Sequence, residues 1–342
     1  MTALRILDCG PATSLQDLGR PGLARLGLPR SGAMDRRALA IANSLVGNAP
    51  AEAAIELAVL GARLRAEDGP VRLALAGAAA DLAIDGVGTP SHASFVLEAG
   101  RTLSIGRPRD GVYMLLAVAG GLAIDPVLAS RSLYARAGIG GFDGRRFAAG
   151  DLIHVRQPMR ARAAEIATDA VSLDESAAVR VLLGPHAGAF TDAALHTLLE
   201  APFTVTLQCD RMAYRLSGPG IEHATRHDMV SQGVMPGAIQ VPPDGQPLVL
   251  MADCQTVGGY PRIATVISAD LGKLAQRRPG QTVRFAAVDI EEAQCIARGA
   301  RAEQLRLRLY RQPVHGADAL DRHHRLLRVA DATVDALDAS TW

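Results

Sequence analysis

Lysine is almost absent from this chain. Of 36 basic residues in 342, Lys273 is the single lysine and the others are arginine. A phosphate loop of the G-x-x-x-x-G-K-S/T type is thereby excluded, because Lys273 follows Asp270-Leu271-Gly272 and precedes Leu274. A Schiff-base or biotin-bearing lysine is confined to Lys273, and the Met-Lys-Met context of a biotin carrier is missing, so any covalent swinging cofactor belongs to another chain. Cysteine is sparse too. Cys9, Cys209, Cys254 and Cys295 lie far apart with no Cys-x-x-Cys pair, which excludes a disulfide framework and a zinc site and points to reduced thiols in a cytoplasmic protein. Neither sign of charge dominates: 36 basic against 35 acidic residues leave +1, too weak a field to hold a polyanion, so general nucleic-acid binding is excluded. Long apolar runs are missing as well. The longest, Val112 to Ile124, is broken by Gly120-Gly121 and is too short for a bilayer; it fits a buried strand and turn. Met1 to Arg20 lacks an apolar stretch followed by a small-residue cleavage site, so no signal peptide is expected.

What is present is an ordinary globular composition, 49% apolar and 21% charged, in a length that suits two domains of about 150 residues each. Short apolar runs punctuated by 34 glycines and 19 prolines fill the first 290 residues. Val71–Ala76, Thr102–Ile105, Val112–Val118, Asp151–Val155, Val179–Leu183, Phe203–Leu207, Pro247–Met251 and Thr282–Phe285 are strand-length and often alternate, the pattern of a β-rich sandwich or barrel. Helices are fewer. Asp35–Val46 has helical apolar spacing with Ser31 or Asp35 available as a cap; Thr191–Leu199 opens on a Thr-Asp cap signal; Glu291–Tyr310 is a longer candidate. The tail after Pro313 reads as frayed or accessory.

An internal repeat organises these runs. Asp35-Arg36-Arg37-Ala38, Ala54-Ile55-Glu56, Val71–Ala76 and Ala99–Leu103 find counterparts in Asp210-Arg211-Met212-Ala213, Ala238-Ile239-Gln240, Leu248–Ala252 and Pro279–Val283, in the same order. The expected fold is therefore mainly β with some α: two related β-barrel domains, 1–165 and 178–290, then a helical segment and tail, 291–342. The parting falls in the polar, alanine-rich stretch Ala161–Ala178.

Polar residues concentrate where strands end. Asp253-Cys-Gln-Thr-Val-Gly-Gly-Tyr-Pro261 follows the run Leu248–Ala252 and places a carboxylate, an amide and a hydroxyl at a sheet mouth, with Gly258-Gly259 allowing close backbone approach; the same residues also read as a polar turn with a Tyr260-Pro261 packing corner. In Cys209-Asp-Arg-Met-Ala-Tyr-Arg215, Asp210 and Tyr214 are placed toward one cavity. Arg211 and Arg215 are candidate oxyanion or phosphate clamps, or else part of an Asp–Arg network bracing a barrel. Asp35 with its arginines, and Ser130-Arg131-Ser132 with Tyr134, are similar groupings. Gly138–Gly144 lacks the dinucleotide register and reads as a ligand-approaching loop. Val241–Pro247 is a rigid turn. His223 and His227 sit four apart but lack the glutamate of a metalloprotease helix, and no nucleophile elbow or Cys–His pairing appears, so neither a metal site nor a covalent hydrolase is expected.

Several of these stretches are familiar together. Thr13-Ser-Leu-Gln-Asp-Leu-Gly-Arg-Pro-Gly22, Ser31-Gly-Ala-Met-Asp-Arg-Arg37, Ala42–Asn48, Ala119-Gly-Gly121, Ser130-Arg131-Ser132, Gly138–Phe142, Asp210–Leu216, Gln240–Pro247 and Gly258-Gly-Tyr-Pro261 resemble the biotin-dependent carboxyltransferase-like family that includes allophanate hydrolase subunit 2, KipA and the C-type subunit of 5-oxoprolinase. The resemblance covers about residues 1 to 290. It implies two cyclophilin-like barrels, with the KipI-like (B-type) and A-type subunits of 5-oxoprolinase as partners. It further implies ATP-dependent opening of 5-oxo-L-proline, with ATP and Mg²⁺ in the complex, on this chain or on a partner, and no biotin attached here. Its motifs mark the positions, and on that reaction Asp210, Arg211, Asp253 and Tyr260 are expected as catalytic, with Arg211 and Arg215 clamping phosphate and Asp253 or Asp210 meeting metal or substrate. Arg215, Tyr214, Gln240, Gln255, Thr256, Ser31, Asp35 and Arg131 would bind the cyclic amide. No metal ligand, nucleic acid or membrane partner is expected. Two rivals stand beside this reading: carboxyl transfer to urea or a related amide, and a KipA-like regulator that antagonises a KipI-like kinase inhibitor.

Overall fold

The computed structural model describes residues 2–157, 166–167, 177–224, 229–305, 309–311 and 326–327. Two compact units emerge, and the N-terminal segment is divided between them. One unit gathers Met1–Pro21, Arg36–Ser172 and Glu303–Trp342; the other gathers Gly22–Asp35 and Leu173–Ala302.

In the first unit, strands β1 (Ala3–Cys9), β2 (Ser14–Gln16), β3 (Ala54–Ala58), β4 (Ala62–Glu67), β5 (Val71–Gly77), β6 (Ala80–Ile84), β7 (Val87–Thr89), β8 (Ser94–Leu97), β9 (Thr102–Pro108), β10 (Tyr113–Val118) and β11 (Leu152–His154) sort into two sheets. Their orders are β11-β1-β4-β9-β6-β7 and β2-β3-β10-β5-β8, so the pairing found is that of two sheets rather than one hydrogen-bonded ring. Both contribute one face to a shared core: Leu4, Ile6, Leu64 and Leu103 from the first, Ile55, Leu57, Leu73, Leu75, Met114 and Leu116 from the second. Strands β5 and β10 are buried almost throughout because helix α1 (Arg36–Val46) packs on their other face. Its Leu39, Ala42 and Leu45 are buried. The turn after β10 needs glycine. Gly120 has φ 77°, and a Cβ there would meet the Gln157 carbonyl oxygen at 1.9 Å. Short strands β12 (Ile166–Ala167), β23 (Leu309–Arg311) and β24 (Leu326–Leu327) form a third small sheet. Leu309 and Tyr310 therefore lie in a strand, and the long C-terminal helix, α4, is Ile290–Leu305.

The second unit is built on one eight-stranded sheet. Its strands are β13 (Val179–Leu183), β14 (Phe203–Cys209), β15 (Ala213–Ser217), β17 (Ala238–Gln240), β18 (Leu248–Leu250), β20 (Arg262–Val266), β21 (Thr282–Val283) and β22 (Phe285–Ala287), in the order β21-β14-β15-β18-β17-β20-β13-β22. The two edge strands are separated in sequence by Arg284 alone, so the sheet curls until its edges nearly meet. Alternate residues point inward and are buried: Val179 and Val181, Phe203 and Val205, Tyr214 and Leu216. Helix α2 (Asp192–Glu200) is capped by Thr191, whose hydroxyl accepts from the Ala194 amide at 3.0 Å. A two-stranded ribbon, β16 (Gln232–Gly233) with β19 (Val257–Gly258), stands beside the sheet.

Of the repeated stretches, Ala54–Glu56 and Ala238–Gln240 both lie in fully buried strands. Gly100 and Gly280 both turn the chain with positive φ into β9 and β21. The first pair diverges: Asp35 precedes α1, whereas Asp210 heads a turn into β15. The interdomain stretch expected at Ala161–Ala178, the tail after Pro313 and His227 lie essentially outside the described residues.

Lys273, on the short helix α3 (Leu271–Ala275), is tied to the fold. Its Nζ lies 3.0 Å from Asp270, which has no solvent exposure and also accepts from the Arg180 amide, Nε and Nη2 at 2.9, 2.8 and 2.7 Å. Burial pushes the Asp270 carboxyl up, but the Arg180 and Lys273 donors outweigh it and leave it below its ordinary 3.8. Asp270→Asn should therefore lower stability by about 1–3 kcal/mol at neutral pH, measured by urea unfolding, because the Arg180 and Lys273 charges it leaves behind are partly solvated. The folded carboxyl titrates below the unfolded one, so this contribution is present above the unfolded value and is lost as pH falls through the folded one. Wild type and variant converge in acid; a gap that survives acidification contradicts the assignment.

Candidate functional site

In the second unit the β15–β18 ladder runs on past its strands. The Met251 amide donates to Met212 O at 2.9 Å and the Asp253 amide to Arg211 O at 2.7 Å, which lays the turn before β15 against the turn after β18. The two key side chains of these turns join there. Arg211 Nε and Nη2 donate to the two Asp253 oxygens at 2.8 and 3.1 Å, a forked pair with both side chains mostly buried. Arg211 Nη2 also donates to Gly32 O at 2.7 Å, and the Ser31 amide donates to Ala252 O at 3.1 Å. Three distant stretches, 31–32, 211 and 252–253, are thus drawn to one place. Ser31 is fully buried with φ 57°, and its Oγ has no hydrogen-bond partner.

A second polar group lies further along the same segment. Gln240, 1% exposed at the end of β17, receives the Gln255 Nε2 at 3.3 Å and donates to Tyr260 O at 3.4 Å. Gly258 makes room for it: a Cβ at that position would lie 2.6 Å from Gln240 Nε2. The close approach that the Gly258-Gly259 pair permits is therefore to the chain's own amide. Beyond Gln240, the Arg262 amide donates to His186 Nδ1 at 3.1 Å, so the neutral ring carries its proton on Nε2 and directs it at Gln232 Oε1, 3.1 Å away. Arg262 Nη2 donates to the same oxygen at 3.1 Å. Sequence reasoning misses His186, Gln232 and Arg262, since no motif joins residues so far apart. Thr256 is half-buried, and its carbonyl accepts from the Val234 amide at 3.0 Å. Tyr260 is the exposed member, at 41%.

The remaining expected residues are placed elsewhere. Asp210 Oδ1 accepts from the Met212 and Ala213 amides at 2.7 and 3.1 Å, closing its own turn. Tyr214 points inward, and its hydroxyl donates to Ala275 O at 2.7 Å, so it does not share a cavity with Asp210. Arg215 pairs with Asp244 in the Val241–Pro247 turn. Asp35, buried, accepts from Gln276 Nε2 at 2.9 Å. In the first unit Arg131 belongs to a hub around Asp17. That carboxylate accepts from the Arg131 and Gly19 amides at 2.6 and 2.7 Å and from the Ser130 and Ser132 hydroxyls at 2.7 and 2.5 Å. Arg131 Nε donates to Ile124 O at 2.5 Å. Asp17 stands inside the Thr13–Gly22 motif, so the signal that finds it is present in the sequence.

Among the described residues no three His, Cys, Asp or Glu side chains gather as a metal site, and no helix is long and apolar enough to cross a membrane. His223 packs its ring on Phe190 at 4.9 Å. Cys254, next to Asp253, is no nucleophile: burial, then the Asp253 charge, push its thiol up to about 12.

Residues 26–287 match the family described as carboxyltransferase domain, subdomain A and B. The chain is 37% identical over 295 residues to the C-type subunit of 5-oxoprolinase from Escherichia coli, covering 85% of this chain and 93% of that protein. It is 38% identical over 293 residues to the Haemophilus influenzae protein of the same name, with 86% and 94% covered. Among solved structures, TTHA0988 is similar with a TM-score of 0.76 and 35% identity, over 84% of this chain and 56% of that one. Kluyveromyces lactis urea carboxylase is similar with a TM-score of 0.81 and 26% identity, over 88% of this chain and 29% of that one. The chain thus spans nearly all of the two bacterial proteins, about half of TTHA0988 and under a third of the yeast enzyme.

The thiols give a direct check of this surrounding. A thiol reagent on the native protein should label exposed Cys295 first, half-buried Cys9 and Cys209 slowly, and Cys254 only after unfolding, read by mass spectrometry. Native labelling of Cys254 at the pace of Cys295 contradicts the packing described.

Proposed function

The chain belongs to the family of the carboxyltransferase domain, subdomain A and B, and we propose that it serves as the C-type subunit of an ATP-dependent 5-oxoprolinase, opening 5-oxo-L-proline to L-glutamate together with a KipI-like (B-type) partner and an A-type partner. The observation that carries this reading is the 37% and 38% identity to two proteins that bear the name of that 5-oxoprolinase component, whose lengths this chain covers at 93% and 94%. We likewise assign the family's cyclophilin-like barrel description to the second unit, whose one sheet nearly closes, and a cytoplasmic place consistent with four unpaired cysteines.

A lactam resists water because its C–N bond is resonance-stabilised. Opening it forms a bond from a water oxygen to C5, breaks C5–N, and delivers a proton to the departing ring nitrogen. ATP and Mg²⁺ would supply the activation in the complex. The two carboxylates expected at the site are poorly placed for Mg²⁺: both Asp253 oxygens are engaged by Arg211, and Asp210 Oδ1 is engaged by its turn amides. We therefore assign nucleotide and metal to a partner chain, and to this chain the holding of the amide. Its means are the Gln240–Gln255 carboxamides, where Gln255 Oε1 is an unpartnered acceptor for an amide N–H, with the Arg211–Asp253 fork holding the turns beside them in place. Arg215, Tyr214, Asp210 and Asp35 act as braces within the second unit, and Arg131 braces the first.

Carboxyl transfer to an amide is the second reading, supported by the likeness to Kluyveromyces lactis urea carboxylase. Purification with the KipI-like and A-type partners, followed by assay of glutamate and ADP from 5-oxoproline with and without avidin, separates the two. The proposal expects turnover indifferent to avidin; avidin-sensitive carboxyl transfer supports the rival. Intact binding to the KipI-like partner with no turnover of either kind supports a regulatory role. Arg211→Ala and Asp253→Ala should each reduce turnover about tenfold or more, and losses smaller than that count against the assigned roles.

A further inference from the structure

Within Gly22–Asp35 the chain enters the left-handed region at Gly22, Gly27, Ser31 and Gly32, with φ of 82°, 79°, 57° and 96°. Glycine is the residue that takes this conformation without a side-chain clash. Ser31 is the exception, and its side chain brings a second cost. The residue has no solvent exposure, and its Oγ is buried without a hydrogen-bond partner, a state less favourable than having no hydroxyl at all. Backbone need explains neither penalty, because glycine would remove both. Position does explain them: the Ser31 amide is bound to Ala252 O at 3.1 Å, and the following carbonyl, Gly32 O, is bound by Arg211 at 2.7 Å, which fixes the residue beside the Arg211–Asp253 fork. On the adjoining turn Gln255 Oε1 is likewise buried and unpartnered, an acceptor for an N–H.

Building on the function proposed above, we propose that the Ser31 hydroxyl is a substrate-contacting group that donates to the carbonyl oxygen of a small amide at the Arg211–Asp253 site. In the resting chain the hydroxyl is dry, so contact requires the Gly22–Asp35 segment to lift, and the Arg211–Gly32 hydrogen bond is the tether that this movement strains. A residue kept at two local costs beside a site is the arrangement expected where stability is given up for function.

The test uses Ser31→Ala and Ser31→Gly in the complex reconstituted with the KipI-like and A-type partners. Both variants should lose about tenfold or more in kcat/KM for 5-oxoproline. Their melting temperatures should hold or rise, most in the glycine variant, which sheds the backbone strain as well. Activity within about twofold of wild type overturns the proposal, and so does a fall in melting temperature of both variants, which marks the hydroxyl as a structural bond. A wild-type complex that does not turn over 5-oxoproline overturns the function proposed above instead. The melting arm needs no substrate and still decides whether the fold itself uses the hydroxyl.

Discussion

The candidate site hangs on one guanidinium. Arg211 closes a fork on Asp253 and with the same Nη2 holds the carbonyl of Gly32. Everything around the site takes its position from those bonds. The fork pins the turn after β18 to the turn before β15, and the Gly32 bond draws an N-terminal segment into a unit built otherwise from the second half of the chain. Arginine alone can do this. Its planar fork satisfies both carboxylate oxygens while a third bond leaves the same group, whereas a lysine would offer a point charge without the geometry. The near absence of lysine from the sequence and the reliance of the site on one arginine are consistent, although composition alone does not explain which arginine is used.

In each unit the described residues spend many of their buried polar groups on one another. Asp270 anchors Arg180 and Lys273, Asp17 gathers two serine hydroxyls and two amides, Tyr214 bonds a helix carbonyl, and Gln240 rests on Gly258. Each satisfies a group that is expensive to leave bare in a low-dielectric interior. Ser31 Oγ and Gln255 Oε1, like Thr13 Oγ1 and Gln16 Oε1 in the first unit, are left without partners, and the former two lie within the stretch that the fork holds together.

Much of the fold was legible in the sequence. The alternation in Val179–Leu183 marks β13 from end to end, and the runs at Val71 and Val112 mark β5 and β10. The Thr-Asp pair marks the capped start of α2. Periodicity reports which face of a strand is buried, but not which edges meet, so it did not separate two stacked sheets in the first unit from a ring of strands. It also did not show that Gly22–Asp35 leaves its neighbours for the other unit. At the site, adjacency misled. Asp210 and Arg211 are neighbours in sequence, yet Asp210 serves its own turn while Arg211 finds Asp253 forty-two positions on. Arg215, read as a clamp, is matched by Asp244 from a turn that seemed mere punctuation. Pairings across such distances are set by the register of β15 on β18, which no local motif encodes.

The most direct measurement of the central claim is a double-mutant cycle on Arg211 and Asp253, with urea unfolding of the chain as the readout. If the two side chains act as one unit, removing either strands the other in a largely dry setting, and removing both is no worse than removing one, a coupling of about 1–3 kcal/mol. Losses that simply add would mean that Arg211 and Asp253 serve the structure separately, and the account of the site built on their union would not stand.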